Sequence, residues 1–257
     1  MESLLSLGFE AFQADTSLFT LKHGSIIIII LIYIDDILIT GSSLSACDQV
    51  ICQLSNSLLV KDLGPILYFL GLEIMRNDTV MHLSQTKYIV ELLKKTNTID
   101  AKPYSSPAIA NSKLSKHDGE FLVDASDYRS LVGDLQYATW TRPEIFYAVN
   151  QVCQLMSHPT IVHLVDSKRI LRYLKGILDY GIVLQKWLTT LSSYYDSDWS
   201  GNRDDRRPTS GFCVMCIHYV STDTLVDDVF TKGLFAARLD FLRDKTRVQP
   251  LPQLEGG

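Results

Sequence analysis

The sequence predicts an α+β fold, because strand pairs joined by short turns, which are typical of antiparallel sheets, occur together with amphipathic helices. The stretch 26–41, which reads IIIIILIYIDDILITG, joins two apolar, β-branched runs at a pair of aspartates. This pattern favours a hairpin of two strands. A second pair of apolar runs occupies residues 66–83. Segments 42–59, 84–97 and 160–178 instead repeat their apolar residues at helical spacing.

The composition is ordinary for a globular protein. Of the 257 residues, 46% are hydrophobic and 21% are charged, and the net charge is -5 with a pI near 5.7. A free-standing nucleic-acid binder is usually basic, so this balance argues against strong binding by the whole surface. One face could still be locally basic.

The cysteines and the N-terminus bear on the compartment. The five cysteines are odd in number and widely spaced, so they do not predict a disulfide scaffold, and we expect an intracellular, reducing compartment. Cys213 and Cys216 have metal-ligand spacing, but a structural zinc site needs further ligands, and the apolar run around them favours two buried thiols. The first residues lack the basic start of a signal peptide.

The carboxylates of Asp35 and Asp36 stand at the tip of the first predicted hairpin. Hard divalent cations take oxygen ligands, so aspartates at the end of a water-poor strand pair suit a metal ion. Aspartate is also a common turn residue, and the two side chains could simply be solvated. Each apolar run is too short to span a bilayer and the acids make one continuous span costly, so we expect no membrane association.

Local signals predict the elements around this hairpin. Residues 1–24 hold a short amphipathic start and a strand that leads into the hairpin. Ser42 or Ser43 is the predicted N-cap of the helix that follows. Asn77-Asp78 marks the tip of the second hairpin. In the helix that starts at Ser84, the predicted inward residues are Tyr88, Ile89, Leu92 and Leu93.

Residues 100–126 form the clearest predicted linker. They contain Pro103, Pro107, several serines and few large apolar side chains. We expect a domain boundary within this segment.

Two helices broken at Pro143, with Thr141 as the candidate cap, are predicted over residues 127–156. In the next helix, Lys168, Arg172 and Lys175 lie at i, i+4 and i+7 and share one face. That face could track phosphates, or it could simply be solvated, as charge runs usually are.

A second acidic cluster lies near the end of the chain. Asp196 and Asp198 follow strand-like residues, and Asp228 lies in the segment 224–232, beyond another apolar run. The last residues, 249–257, are rich in Pro and Gly and predict a disordered tail.

Nine segments, taken in order, resemble the polyprotein of Ty1/copia-type retrotransposons. They read DTSLF, YIDDILITGS, KDLGPILYFLGLEI, LSQTKYI, YRSLVGDLQYATWTRPEI, RILRYLKGI, DSDWSG, DRRPTSGFC and DDVFTKGL. The resemblance extends to Val248, and the ordered set is far more specific than the Tyr-x-Asp-Asp tetrapeptide alone. It implies an RNA-directed DNA polymerase, or reverse transcriptase, with an RNase H remnant.

The resemblance also implies a domain organisation. Residues 1–99 would be a fragment of the polymerase palm, with an antiparallel sheet and helices, and residues 100–126 would be the linker. Residues 127–185 would form helices of the thumb and connection. Residues 190–248 would form a truncated RNase H-like segment, followed by the tail at 249–257.

Site residues and partners follow from the same resemblance. Asp35 and Asp36 match the hairpin aspartates that bind Mg²⁺ in the polymerase, where one ion activates the primer hydroxyl and another steadies the triphosphate. Asp196 matches the first catalytic carboxylate of RNase H, and Asp228 matches the last. The implied partners are an RNA template and an RNA–DNA hybrid.

The sequence departs from the family pattern in two places. It begins after the family's fingers and first palm aspartate, and it lacks the central RNase H stretch that carries a Glu and a further Asp. We therefore expect an N-terminally truncated polymerase that is not catalytically competent alone. The alternative is a non-catalytic remnant that binds a duplex through Lys168, Arg172 and Lys175. A third reading is a chain that barely folds, with 26–34 as an aggregation-prone edge.

Overall fold

The structure is a computed structural model that describes residues 2–58, 60–185, 191–198, 203–204, 209–216 and 232–251. For 191–198 and 209–216 it describes the strands and their register. The chain divides into two compact units, residues 1–66 and 67–257. The described sheets are all antiparallel and are accompanied by helices, which confirms the predicted α+β class.

The first unit is a four-stranded sheet with a helix packed on it. Its elements are α1 (Glu2–Ser6), β1 (Glu10–Ala11), β2 (Leu18–His23), β3 (Ile26–Tyr33), β4 (Asp36–Gly41) and α2 (Leu44–Ser57). The strand order is β1-β2-β3-β4. The hydroxyl of Ser43 accepts a hydrogen bond from the amide of Ala46 and caps α2, as predicted.

Alternation along β3 decides which face of this sheet becomes the core. Ile28 and Ile30 are buried, whereas Ile27 is exposed on the opposite face. The buried residues that pack with Ile28 and Ile30 are Leu4, Phe9, Phe19, Val50 and Leu54. The expectation that 26–34 forms an aggregation-prone edge is wrong, because β3 is hydrogen-bonded to β2 on one side and to β4 on the other.

The second unit contains a five-stranded sheet that gathers distant parts of the chain. The strands described here are β5 (Tyr68–Phe69), β6 (Leu72–Arg76), β7 (Val80–Ser84), β8 (Tyr180–Gln185), β9 (Leu191–Asp198), β10 (Thr209–Cys216) and β11 (Val248–Pro250). The five-stranded order is β11-β8-β7-β6-β5, and β9 pairs with β10 in a separate ladder. The predicted hairpin around Asn77-Asp78 is confirmed as β6–β7.

The last strand corrects a prediction about the tail. Gln249 and Pro250, expected to be disordered, pair with Gly181 and Tyr180 of β8. They are ordered because β8 would otherwise present an unpaired edge, and an antiparallel partner satisfies its backbone groups. Residues 252–257 lie outside the described part of the chain.

Helices cover the second unit's core. They are α3 (Thr86–Lys95), α4 (Ser126–Ala138), a 3-10 turn (Pro143–Ile145), α5 (Phe146–Cys153), α6 (Ile161–Lys175) and α7 (Ala236–Lys245). The predicted inner residues Ile89, Leu92 and Leu93 of α3 are buried. Leu239 and Leu242 of α7 belong to the same buried cluster, so the segment near the C-terminus is part of this core.

The division between the units falls after Ile66, whereas the sequence predicts a boundary within residues 100–126. That segment lies on the second unit: the amide of Tyr104 donates to the carbonyl of Arg172 at 3.2 Å, and the amide of Leu122 donates to the carbonyl of Pro159 at 3.0 Å. Prolines and serines disfavour regular structure, but they do not prevent a segment from packing through its backbone groups.

Thr141 does not cap the helix that follows Pro143. Its hydroxyl donates to Gln85 Oε1 at 2.8 Å, and no side chain caps the 3-10 turn. Both residues are buried, so their polar atoms must find partners inside the protein. Among the described residues, no helix combines the length and the apolar character that a membrane crossing requires.

Candidate functional site

The two adjacent aspartates lie at an exposed hairpin tip in the first unit, which confirms the predicted local structure. Tyr33 pairs with Asp36 across the hairpin, so Ile34 and Asp35 form a two-residue loop. Asp36 is the first residue of β4. The hairpin therefore places Asp35 and Asp36 at one end of the sheet. Both residues are exposed.

The loop that presents them is strained. Ile34 has a φ of 52° and is 81% exposed to solvent. Of the two loop residues, only Ile34 has a positive φ, a conformation in which glycine is the usual residue. A left-handed conformation costs an L-residue about 1–2 kcal/mol, and a branched side chain makes it rarer still. Because Ile34 is exposed, no buried contact offsets this cost. Leu70 in the β5–β6 turn has a similar φ of 48°.

The donor set at this tip has the right chemistry for Mg²⁺ but too few ligands to hold it alone. Mg²⁺ prefers oxygen donors in octahedral geometry and is commonly held by one or two carboxylates together with substrate phosphates. Within the part of the chain that the structure describes, no group of three or more His, Cys, Asp or Glu side chains could hold a metal ion. Asp35 and Asp36 therefore fit part of a magnesium site.

The two aspartates predicted for RNase H chemistry are not both described. Asp196 lies in β9, where it pairs with Gly211 of β10. Asp228 lies outside the described residues. Their shared role stays a prediction.

Of the three basic residues predicted to share one face of α6, Arg172 and Lys175 form hydrogen bonds within the protein. The Nε of Arg172 donates to the carbonyl of Lys102 at 2.6 Å, and the Nζ of Lys175 donates to the carbonyl of Ala101 at 2.7 Å. The guanidinium of Arg172 also lies 3.7 Å from the centre of the Tyr104 ring. We call these contacts the α6 clasp. They hold the start of the 100–126 segment against the helix.

Arg169 strengthens the α6 clasp, and sequence reasoning missed it. Its guanidinium lies 4.3 Å from the centre of the Tyr104 ring, and its Nη2 donates to the hydroxyl of Ser106 at 3.1 Å. The available signal is its spacing from Arg172, because side chains three residues apart on a helix can meet one ring. Lys168 is exposed, and its contact with phosphate stays a prediction.

A buried ion pair was also missed. Arg142 and Glu144 bind each other at 2.6 Å with fully buried side chains. Arg142 Nη1 donates to the carbonyl of Ile177 at 3.0 Å, which ties the 3-10 turn to the end of α6. Burial raises the pKa of the nearby Tyr173 hydroxyl, which accepts a hydrogen bond from Arg243. Two charges that flank a proline are a weak signal, so only the packed structure identifies this pair as internal.

Asp204 holds the described residues 203–204 against a turn of the second unit. Its carboxylate accepts hydrogen bonds from the amide of Lys116 at 2.8 Å and from the hydroxyl of Ser115 at 2.6 Å. These two donors hold the pKa of Asp204 below its usual value. The contact is structural, since it fastens residues 203–204 to the turn at 115–118.

Known proteins resemble both the hairpin region and most of the chain. A family model described as reverse transcriptase (RNA-dependent DNA polymerase) matches residues 1–110. The retrovirus-related Pol polyprotein from transposon RE1 of Arabidopsis thaliana is 46% identical over 217 residues, which cover 84% of this chain and 15% of that protein. The corresponding polyprotein from transposon TNT 1-94 of Nicotiana tabacum is 37% identical over 194 residues, covering 72% and 15% respectively.

A shorter relative is covered more completely. An uncharacterized mitochondrial protein of Arabidopsis thaliana is 44% identical over 185 residues, which cover 72% of this chain and 77% of that protein. No solved structure matches the chain. This chain spans about 15% of the length of the transposon polyproteins. It therefore belongs to the reverse transcriptase family of copia-type retrotransposon Pol polyproteins and corresponds to one segment of them.

Proposed function

We propose that the Tyr33–Asp36 hairpin is the carboxylate-presenting turn of an RNA-directed DNA polymerase, and that this chain does not polymerise by itself. The substrate class would be an RNA template paired with a DNA primer. The observation that carries the proposal is the strained, exposed loop that places Asp35 beside Asp36 at the end of a sheet, within the residues that match the reverse transcriptase family.

The lack of independent activity is supported by ligand count. Paired-cation nucleotidyl transfer needs carboxylates that converge on two metal ions from more than one part of the fold. In the described residues, Asp35 and Asp36 have no third acidic, His or Cys partner that would complete a metal group. Two metal ions at the tip would need at least one further carboxylate beside Asp35 and Asp36.

Primer extension on an RNA template, with Mg²⁺ or Mn²⁺, tests the proposal. The purified chain should show no template-dependent incorporation. If incorporation occurs, and if Asp35→Asn and Asp36→Asn abolish it while Asp78→Asn does not, the hairpin assignment holds but the claim of inactivity fails. Asp78 is a matched control because it is an exposed aspartate next to the other hairpin tip.

Metal binding can be tested without activity. Mn²⁺ titration should broaden the amide resonances of Asp35 and Asp36 more strongly than that of Asp78, because two adjacent carboxylates attract a divalent ion better than one. The Asp35→Asn variant should lose this difference. Equal broadening at the two hairpin tips would contradict the proposed role of the first.

A further inference from the structure

Helix α6 begins with a capping box that contains a histidine. Thr160 is the N-cap, and its hydroxyl accepts a hydrogen bond from the amide of His163 at 3.4 Å. The Nδ1 of His163 in turn accepts a hydrogen bond from the amide of Thr160 at 3.0 Å. Glutamate or glutamine usually supplies this second acceptor. An imidazole differs from both, because imidazoles commonly take up a proton between pH 5 and 8.

The two ring nitrogens of His163 are compatible with one tautomer only. A backbone amide can only donate, so the Nδ1 that faces Thr160 carries no hydrogen. A carbonyl can only accept, so the Nε2 that lies 3.0 Å from the carbonyl of Ser115 carries one. The residue is fully buried. A second proton on the ring would set two donors against each other and bury a charge, so the ring must leave this position to become charged.

The same cap holds residues 115–122 against the start of α6. The hydroxyl of Thr160 donates to the carbonyl of Asp118 at 2.6 Å, and the amide of Ile161 donates to the carbonyl of Glu120 at 2.9 Å. At the other end of the segment, the carbonyl of Ser115 receives the hydrogen bond from His163. Loss of the His163 contacts would therefore loosen the whole segment.

Charged groups on the neighbouring elements tune the proton uptake of His163. Asp166, three residues further along α6, interacts electrostatically with His163 and with Asp118. Asp204 adds a third carboxylate, which accepts a hydrogen bond from the hydroxyl of Ser115 at 2.6 Å. The other charged or titratable side chains on these elements and on α4 are Lys116, His117, Glu120, Tyr128, Arg129, Lys168, Arg169 and Arg203. These charges set the pH of release, whereas the two ring contacts make release a condition of protonation.

We propose that His163 is an acid-sensitive latch, which holds residues 115–122 on α6 when the ring is neutral and releases them when it is protonated. Protonation removes the acceptor for the amide of Thr160, so the capping box opens. As the ring leaves, the carbonyl of Ser115 loses its donor. Residues 203–204 are fastened to this segment through Asp204 and move with it.

Amide hydrogen exchange of the full chain, followed by NMR from about pH 7.5 to about pH 5, tests the latch. The reporters are the amides of Ile161 and Leu122, whose acceptors lie across the contact between α6 and the segment. Corrected for intrinsic exchange rates, their protection should fall by up to about tenfold per pH unit, as expected when opening takes up one proton. The amide of Ile32 in the first unit, which donates to the carbonyl of Ser17, should show no such change.

The variant His163→Gln separates protonation from packing. Its side-chain oxygen can accept from the amide of Thr160 and its NH₂ group can donate to the carbonyl of Ser115, and neither group titrates in this range. It should keep the protection seen at neutral pH and lose the pH dependence. His163→Ala lacks the acceptor and should lower protection about tenfold already at neutral pH. His82→Gln removes the other buried histidine of the described residues, in β7, and should leave both reporters unchanged.

Two results would overturn the latch. Acid release that persists in His163→Gln would assign it to the carboxylates of Asp118, Asp166 or Asp204. Protection that stays constant in the parent chain would mean that the segment is not released at all.

A direct titration of the His163 ring keeps the test decisive even if a variant misfolds. In the parent chain, the ring resonances should titrate with the same midpoint as the loss of protection at Ile161 and Leu122. A ring that takes up its proton while both amides stay protected would contradict the proposal.

Discussion

Two hairpin turns, at Ile34 in the first unit and at Asn77 in the second, differ in backbone strain and in how their polar side chains are used. In the first unit, Ile34 stays in a left-handed conformation at an exposed turn, and the acids beside it remain in solvent. In the second unit, the side chain of Asn77 stabilises its own turn. Its Oδ1 accepts hydrogen bonds from the amide of Thr79 at 3.0 Å and from the amide of Val80 at 2.8 Å. Leu70, in the turn between β5 and β6, also has a positive φ of 48°, so strain alone does not single out the first turn. The difference teaches that a side-chain acceptor such as that of Asn77 can stabilise a hairpin turn, and that the turn at Ile34 lacks one.

Charged side chains show the same contrast. Asp35 and Asp36 are exposed, whereas Arg172 and Lys175 donate to backbone carbonyls and Arg142 is buried against Glu144. A charge motif in a sequence therefore does not reveal whether it serves a partner or the fold. The following substitutions test this contrast, from the largest expected effect to the smallest.

Breaking the buried ion pair should have the largest effect. Arg142→Met leaves the carboxylate of Glu144 buried without its cation, and we expect the free energy of unfolding to fall by about 3–5 kcal/mol. Urea titration followed by circular dichroism measures it. The matched control is Lys95→Met, which breaks the partly exposed Lys95–Asp134 pair and should cost less than about 1 kcal/mol. Similar losses in the two variants would mean that burial does not distinguish the pairs.

The α6 clasp should have the next largest effect. Arg172→Ala removes the hydrogen bond to Lys102 and the stacking on Tyr104, and we expect a loss of about 1–2 kcal/mol. Lys168→Ala, one turn away on the same helix, should stay within about 0.5 kcal/mol of the parent because its side chain is exposed. If Lys168→Ala proved the more costly variant, the clasp would not be the main role of this helical face.

The two hairpin turns should respond with opposite signs. Asn77→Ala removes the acceptor that closes its turn and should cost about 1 kcal/mol. Ile34→Asn places a residue that tolerates positive φ at the strained position and should stabilise the chain by about 0.5–1 kcal/mol. Thermal unfolding of both variants checks the signs. A destabilised Ile34→Asn chain would show that the turn stores no relievable strain.

The smallest expected effect is a pH dependence from His82. Burial lowers the pKa of His82 below its usual value, although Gln249, Asp179 and Glu73 partly oppose the shift. As pH falls below about 6.5, the unfolded chain takes up a proton before the folded chain does, so the free energy of unfolding should decrease. Above that pH this contribution should be constant.

Urea titrations across this pH range measure the dependence on His82. His82→Gln should flatten the profile, and His117→Gln, at an exposed position, should leave it unchanged. A profile that keeps its slope in His82→Gln would assign the acid sensitivity to other groups.

Features that depend on a few neighbouring residues could be predicted from the sequence. The hairpin over 26–41, the cap at Ser43 and the buried face of α3 all follow from alternation, capping chemistry and helical spacing. The ordered motifs likewise identified the reverse transcriptase family, because Tyr33, Asp35 and Asp36 stand together in a local signature.

Only the tertiary structure decided how distant segments meet. The pairing of β8 with β7 and β11, and the contacts of Arg172 and Lys175 with residues 70 and 74 positions away, join parts of the chain that share no local pattern. A backbone carbonyl accepts a hydrogen bond whatever its side chain, so the sequence carries no mark of such a partner. The sequence itself thus determined which carboxylates stand at the hairpin tip. Tertiary packing determined which basic side chains bind backbone carbonyls within the protein and which stay exposed to solvent.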